Sequence, residues 1–351
     1  LILCLMTFLF TVVGTFLVRS GILNSVHTFA NDPQRGIYIL IILISATVAA
    51  IYIFLSKYEK TITFKSEFNQ GTFIIANNWF MMFYLLTVFV GTVYPIFTEV
   101  ITDTKISVGP PFYNTVIIPF VIIFLLLMAI GPKISWGKKI INIKKTAFIF
   151  LMSVLINVVL FLIFKINSVV SNLIFISSIF LIIYSFGDLM KSFKLNMSNA
   201  IPRTLSHFGF ALLILFIGVN HNLSEEHDLN LKIGEVKKIN NYEINFQSLE
   251  AQKNKNYDSL IGNFIIKNLE KNYIKNLNPE IRIYKNPETI TYEASINSSI
   301  IKDHYLTMSN IQNSEFYNIK MQVKPFMIWI WFSVTVMSLG GLSRLLIKNE
   351  N

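Results

Sequence analysis

Residues 37–55 read IYILIILISATVAAIYIFL and contain no charged side chain. A helix needs roughly 20 mostly apolar residues to cross the hydrocarbon core of a bilayer. The stretch is close to that length, so it predicts a membrane-spanning helix. It is the clearest member of a series of such runs, and the series decides the fold.

Similar apolar runs recur along the 351 residues, of which 53% are hydrophobic and only 14% are charged. This composition argues against an ordinary soluble domain and indicates a polytopic α-helical integral membrane protein. We predict about eight transmembrane helices, at residues 1–18, 37–55, 78–96, 116–130, 147–164, 169–186, 204–219 and 325–347.

The segment between the last two spans is rich in Asn, Lys, Glu, Tyr and Ile. Apolar and polar residues alternate within it at 242–246, 262–266, 280–284 and 291–296. Alternation of period two between turn-forming residues is typical of a small antiparallel β domain. The predicted organisation is a bundle of seven spans at 1–219, a β-rich domain at 220–324, and a C-terminal helix with a short tail at 325–351. His304, in Asp303-His304-Tyr305, is predicted to be a turn residue of this domain.

Lysine and arginine are concentrated in alternate loops, which predicts the orientation of the bundle. The richer loops and the C-terminus carry Lys57, Lys60, Lys65, Lys133, Lys138, Lys139, Lys144, Lys145, Lys191, Lys194, Arg203, Arg344 and Lys348. The poorer loops carry Arg19, Arg35, Lys105 and Lys165. Because positive loops stay in the cytoplasm, loop 19–36 and domain 220–324 are predicted to lie outside. That side is the periplasm if the membrane is a bacterial inner membrane.

His27 lies in the first of these outer loops, with Arg19 and Arg35 on either side. A neutral imidazole is a common ligand for haem iron or other metals. Two guanidinium groups beside such a ligand could pair with porphyrin propionates in bidentate fashion. The alternative is an exposed loop histidine between two arginines that anchor helix ends at the membrane interface.

His207 lies inside the seventh predicted span, five residues after Pro202, which reads as a helix start. Ionisable residues within spans are costly and mark functional sites by default. His207 is therefore a candidate axial ligand for a haem held between helices, with Gly209 and Ala211 leaving room for a flat ring. The alternative is a hydrogen bond to a neighbouring helix. On the predicted topology, His27 and His207 lie too far apart in depth to share one iron.

Two other classes of function remain open from the residues alone. A transporter would carry polar groups at the middle of the membrane, and Ser153 and Asn157 on the fifth predicted span form such a pair. Polar pairs of this kind also hold helices together. A membrane assembly scaffold without catalytic activity is the third possibility.

The outer loop also carries a family resemblance. GTFLVRSG at 14–21, Ser25-Val26-His27 and Asp32-Pro33 closely resemble the CcmF-type cytochrome c haem lyase. Further similar stretches are KISVGPPFYN at 105–114, Asn256-Tyr257, PEIRIY at 279–284 and TYEA at 291–294. The resemblance runs from Leu1 through the last span.

The resemblance implies a function in cytochrome c maturation. Members receive haem from a haem chaperone and help to attach it covalently to apocytochrome c at Cys-x-x-Cys-His, as part of a haem lyase complex in the bacterial inner membrane. By resemblance, His27 matches one of two external histidines that hold the incoming haem. His207 matches one of two histidines that hold a resident haem b.

The family's Trp-rich haem-binding segment, its other external histidine and the partner of His207 are expected upstream of Leu1. The chain has a single cysteine, Cys4, within the first span, so it cannot supply a Cys-x-x-Cys pair. Thioether formation needs reduced thiols from the substrate, which implies thiol-redox and apocytochrome-binding partner subunits. No residue is predicted to act as a general acid or base.

Overall fold

The computed structural model describes residues 2–20, 33–56, 70–104, 106–134, 142–195, 198–270, 273–285, 288–311 and 314–347. These residues form two compact units, Leu1–Ile118 and Pro119–Asn351. The first unit contains α1 at Ile2–Arg19, α2 at Pro33–Ser56, α3 at Gln70–Thr102 and the start of α4, which runs over Pro110–Ile130. The second unit contains the rest of α4, with α5 at Ile143–Phe164, α6 at Val169–Lys194, α7 at Ile201–Leu223 and α8 at Met327–Ser343.

The helix ends follow local capping rules. The Asn142 side chain accepts a hydrogen bond from the Lys145 amide at the start of α5, and Ser168 caps α6 in the same way. Pro202 lies in the first turn of α7, where its missing N–H costs nothing. Each of the eight predicted spans overlaps one of the α-helices α1 to α8 that the described residues form.

Most of these helices are long and apolar enough to cross a membrane. Seven meet this criterion among the described residues, and Leu5–Arg19 of α1 adds a shorter apolar segment. Many of their Ile, Leu, Val and Phe side chains face outward, as on α2 and α5. Outward apolar faces are expected where the solvent is lipid. The protein is therefore a polytopic α-helical membrane protein, as the sequence predicted.

Helices α7 and α8 touch through glycines. A Cβ on Gly209 would lie 2.6 Å from the Met337 backbone nitrogen, and a Cβ on Gly340 would lie 2.6 Å from the Ser206 nitrogen. The Ser206 hydroxyl also donates to the Met337 carbonyl at 3.3 Å. Small residues at helix contacts in membranes allow such close backbone approach.

Replacing Gly340 with alanine is expected to lower stability by about 1–3 kcal/mol, because the new methyl group would overlap α7 backbone that cannot move aside. Gly341 is the matched control, since a Cβ there would meet nothing within 4 Å. The thermal unfolding midpoint in detergent should fall for Gly340→Ala and stay near wild type for Gly341→Ala. Equal unfolding midpoints for the two variants would show that the close contact at Gly340 does not contribute to stability.

Helices α5 and α6 are joined by polar side chains. The Asn157 amide donates to Asn172 Oδ1 at 3.0 Å, and the hydroxyls of Thr146 and Tyr184 are 2.6 Å apart. The hydroxyl of buried Ser153 donates to a carbonyl of its own helix at 2.8 Å. The Asn157 amide therefore joins α5 to α6, and the Ser153 hydroxyl is paired within α5, so this pair gives no specific support to a transporter.

The β domain lies between α7 and α8 and is antiparallel throughout its described pairings. Its strands are β1 Glu225–Leu231, β2 Val236–Ile239, β3 Tyr242–Lys253, β4 Tyr257–Asn268, β5 Ile274–Leu277, β6 Glu280–Lys285, β7 Glu288–Glu293, β8 Ser295–Asn297, β9 Lys302–Asn310 and β10 Tyr317–Pro325. One sheet has the order β1-β10-β9-β8, and the other has the order β2-β3-β4-β6-β7, with β5 also pairing β4.

The core of the domain lies between the two sheets. Alternate residues of β3 and β4 point inward, and the rings of Phe246 and Phe264 stack at 4.3 Å. Leu306 on β9 and Met321 on β10 close the core from the second sheet. All four alternating segments of the sequence are strands, although 291–296 divides at Ala294 between strands of different sheets.

Candidate functional site

His27 lies outside the described residues, but the two arginines that flank it are described. Arg19 is the last residue of α1 and Arg35 lies in the first turn of α2, and both side chains are exposed. The close approach of Gly36 to Ser20, where an added Cβ would lie 3.0 Å from Ser20 Cα, puts these two helix ends side by side. The structure therefore places Arg19 and Arg35 at the same end of the α1–α2 pair.

His207 is half-buried on α7, one turn inside the helix. Three neighbouring helices define the faces of α7. Gly209 contacts α8, while the Phe208 ring lies 6.1 Å from that of Phe186 on α6. Phe210 lies 6.2 Å from Phe124 on α4. His207 lies between the α4 and α6 sides of α7, because it shares a face with Phe210 and the charges of Arg203 and of Asp188 on α6 lie near it.

The His207 ring makes no hydrogen bond to any other described residue. The alternative in which His207 donates a hydrogen bond to a neighbouring helix is therefore not found among the described residues. A histidine ring without such a partner keeps its nitrogen available for axial ligation of haem iron.

From the sequence, Arg203 was predicted only to lie in a cytoplasmic loop. It lies in the first turn of α7 with an exposed side chain, four residues before His207 and so on the same face. The i, i+4 spacing of an arginine and a histidine at a helix start was the signal that could have identified this pair.

The prediction that His304 is a turn residue is wrong. It lies within β9, where only 1% of its surface is exposed. Burial, together with the nearby charges of Lys275 and Lys302, lowers the pKa of His304 to about 4. The ring is therefore neutral at pH 7. His304, Leu306 and Met308 are alternate residues of the same strand, so this spacing could have revealed that His304 points inward.

Comparisons with known proteins address the resemblance. A family model described as the CcmF C-terminal β-sandwich matches residues 222–325, the region of the ten strands. The cytochrome c-type biogenesis protein CcmF of Escherichia coli K12 is 28% identical over 359 residues, covering 97% of this chain. CcmF of Pseudomonas aeruginosa is 26% identical over 365 residues, also covering 97% of this chain. The resemblance to CcmF is confirmed.

A solved structure also shares the fold. The chain titled cytochrome c haem lyase CcmF superposes with a TM-score of 0.69 at 17% identity, covering 92% of this chain and 52% of that one. The present chain spans about half the length of the CcmF relatives it matches, 54% for each of the two bacterial proteins above. The match supports a CcmF-type architecture of membrane helices with a β domain before the last helix.

Proposed function

We propose that the chain acts in cytochrome c maturation as part of a haem lyase, which attaches haem covalently to apocytochrome c at Cys-x-x-Cys-His. The observation that carries this proposal is similarity to cytochrome c-type biogenesis proteins along 97% of the chain. The Asn157 amide is engaged in helix packing and the Ser153 hydroxyl is paired within its own helix, so this polar pair does not favour a transporter and the haem lyase explains more of the chain.

His27 is the proposed axial ligand of the substrate haem, and Arg19 and Arg35 are its proposed propionate partners. Both arginines lie at the same end of the α1–α2 pair, on either side of the segment that contains His27. Planar guanidinium groups match carboxylates in a bidentate geometry that a lysine cannot provide. Held in this way, haem would meet the cysteine thiols in a fixed orientation, which is catalysis by proximity.

His207 is the proposed ligand of a resident haem b. The half-buried ring and its lack of a hydrogen bond among the described residues fit such a group. Arg203, on the same helix face and at the end of the span, would pair with a propionate. When bound, the group would supply one-electron transfer that keeps the iron of the substrate haem reduced.

The thiols of the reaction must come from elsewhere. The single cysteine, Cys4, belongs to the apolar helix α1. Apocytochrome c would therefore supply both thiols, and a thiol-redox subunit would keep them reduced. A haem chaperone completes the proposed set of partners.

The proposed location is the bacterial inner membrane, with loop 19–36 and domain 220–324 on the periplasmic side. Loops rich in lysine and arginine alternate with poor ones along the helices, and the positive-inside rule assigns the poor loops to this side. The same arrangement would give apocytochrome c access to His27 from the periplasm.

Replacement of His27 tests this function. In cells that depend on this protein, His27→Ala is expected to lower covalent haem on a Cys-x-x-Cys-His reporter to the level of a strain lacking the protein, because the incoming haem loses its axial ligand. Haem staining after denaturing electrophoresis measures the product. His221→Ala is the control, since His221 is exposed in the last turn of α7. Normal staining with His27→Ala, at equal protein level, would reject the proposed role.

A further inference from the structure

A cavity of about 370 Å³ opens in the β domain between the ends of the two sheets. Its lining includes Tyr242, Tyr273, Lys275, Lys302 and His304. Cavities of about 300–1,000 Å³ are typical of small-molecule sites. The proposed cytochrome c chemistry uses none of these residues, so the cavity needs a separate explanation.

The cavity lies at the end of the domain that joins the membrane helices. One wall is Ile301, whose carbonyl accepts a hydrogen bond of 2.7 Å from the Phe326 amide, immediately before α8. The neighbouring Ile300 carbonyl accepts from the Trp329 indole at 3.0 Å. Ile300 and Ile301 expose 65% and 57% of their surfaces. Tryptophan and exposed aliphatic residues beside a helix end are typical of the membrane–water interface.

A fixed set of hydrogen bonds organises the floor of the cavity. Lys275 Nζ lies 3.1 Å from His304 Nδ1. An ammonium group can only donate, so Nδ1 is the acceptor and the proton of the neutral ring is on Nε2. Nε2 then donates to the Tyr273 hydroxyl at 3.1 Å, with the Tyr242 hydroxyl at 3.4 Å. Lys275 is thereby held in place and keeps two N–H groups for a ligand.

Charges of both signs line the cavity. The cations are Lys275 and Lys302, and the carboxylates are Glu225 and Glu270. The nearby Asp303 carboxylate is occupied, because it accepts hydrogen bonds from the Ser299 amide at 3.0 Å and the Ser298 hydroxyl at 3.1 Å. A purely anionic ligand would be repelled by the two glutamates, and a purely cationic ligand by the two lysines. The pattern matches a zwitterion.

We propose that this cavity binds the phosphoethanolamine headgroup of a membrane phospholipid. Lys275 and Lys302 contact the phosphate, while Glu225 and Glu270 accept hydrogen bonds from the primary ammonium group. The acyl chains leave past Ile301 towards the bilayer at the start of α8. The headgroup thereby ties the β domain to the membrane surface beside its own helix.

Lipid retention by the purified full-length protein tests the proposal. The protein is stripped of lipid in detergent, incubated with phosphatidylethanolamine, phosphatidylglycerol or phosphatidylcholine, and examined by native mass spectrometry. Phosphatidylethanolamine is expected to be retained most strongly, because glycerol carries no charge for the glutamates and choline has no N–H to donate. Lys275→Met is expected to weaken its retention about tenfold through loss of a charge-assisted hydrogen bond.

Controls separate a lipid site from general effects. Lys237→Met removes an exposed β2 lysine that does not line the cavity and should leave retention unchanged. Lys302→Met removes the second phosphate contact without breaking a hydrogen bond of the His304 ring, so it should weaken retention even if Lys275→Met perturbs folding. Glu270→Gln should reduce the preference for phosphatidylethanolamine over phosphatidylglycerol.

Three outcomes would overturn the proposal. They are unchanged retention in Lys302→Met, equal retention of the three lipids by the wild type, and displacement of lipid by inorganic phosphate alone.

Discussion

His207→Ala is expected to yield a purified full-length protein with at least tenfold less b-type haem than wild type, because loss of an axial imidazole removes the principal bond to the iron. His207 is suited to this role since its half-buried ring makes no hydrogen bond to another described residue. The haem content per protein, measured from the reduced-minus-oxidised absorbance spectrum, gives the result directly.

His221→Ala is the matched control for this experiment, because His221 lies on the same helix but is exposed in its last turn. It should retain wild-type haem content. A His207→Ala protein with a full complement of haem, or a wild type and a variant that are both colourless, would contradict the assignment of His207. Arg203→Ala, on the same face of α7, should weaken haem retention less than His207→Ala does.

Lowering the pH from 6.5 to 5 is expected to destabilise the β domain by about 1.5 kcal/mol through His304 alone. Its pKa falls from 6.5 to about 4 on folding, chiefly because of burial. Between these values the unfolded chain binds a proton that the folded domain excludes. The contribution of neutral His304 is complete well above pH 6.5, falls by at most about 1.4 kcal/mol per pH unit between the two pKa values, and levels off below about 4.

Amide hydrogen exchange of β9 and β10 in the full-length protein measures this effect. The ratio of exchange rates between His304→Gln and wild type, taken at each pH, removes the intrinsic pH dependence of exchange. The ratio should change between pH 6.5 and 5, because the wild-type domain loses stability in this range through His304, whereas glutamine does not titrate. His227→Gln, on strand β1, should show the wild-type profile. A constant ratio for His304→Gln across this range would mean that His304 protonates without cost to the fold.

The positions of the helices could be predicted from the sequence because each apolar run is close to the length of a bilayer span. The lengths were predicted less well. The third span, predicted at 78–96, lies within a helix of 33 residues, Gln70–Thr102. Polar residues outside the predicted span, such as Asn77, continue the helix through its backbone hydrogen bonds, although they interrupt an apolar run.

Strands were predicted from alternation, but their pairing was not. Alternation identifies the inward face of a strand and says nothing about its neighbour, so the division of 291–296 between two sheets could not be read from the sequence. His304 was misassigned because the polar pair Asp303-His304 resembles a turn. Its partners come from β3, β5 and the segment before β5, more than twenty residues away in the chain.

The site residues were identified from the sequence only as candidates. The span of His207 was predictable, but the helix face on which it lies depends on contacts with α4, α6 and α8. The proximity of the Arg19 and Arg35 helix ends depends likewise on the approach of Gly36 to Ser20, a contact that no local pattern encodes.

The most direct measurement is the amount of haem that resists acid–acetone extraction from an apocytochrome. Membranes containing this protein and its partner subunits are supplied with haem and with an apocytochrome carrying Cys-x-x-Cys-His. We expect covalent, extraction-resistant haem with these membranes and none above background when this protein is missing, or when both substrate cysteines are serine. Equal covalent haem with and without the protein would contradict the account.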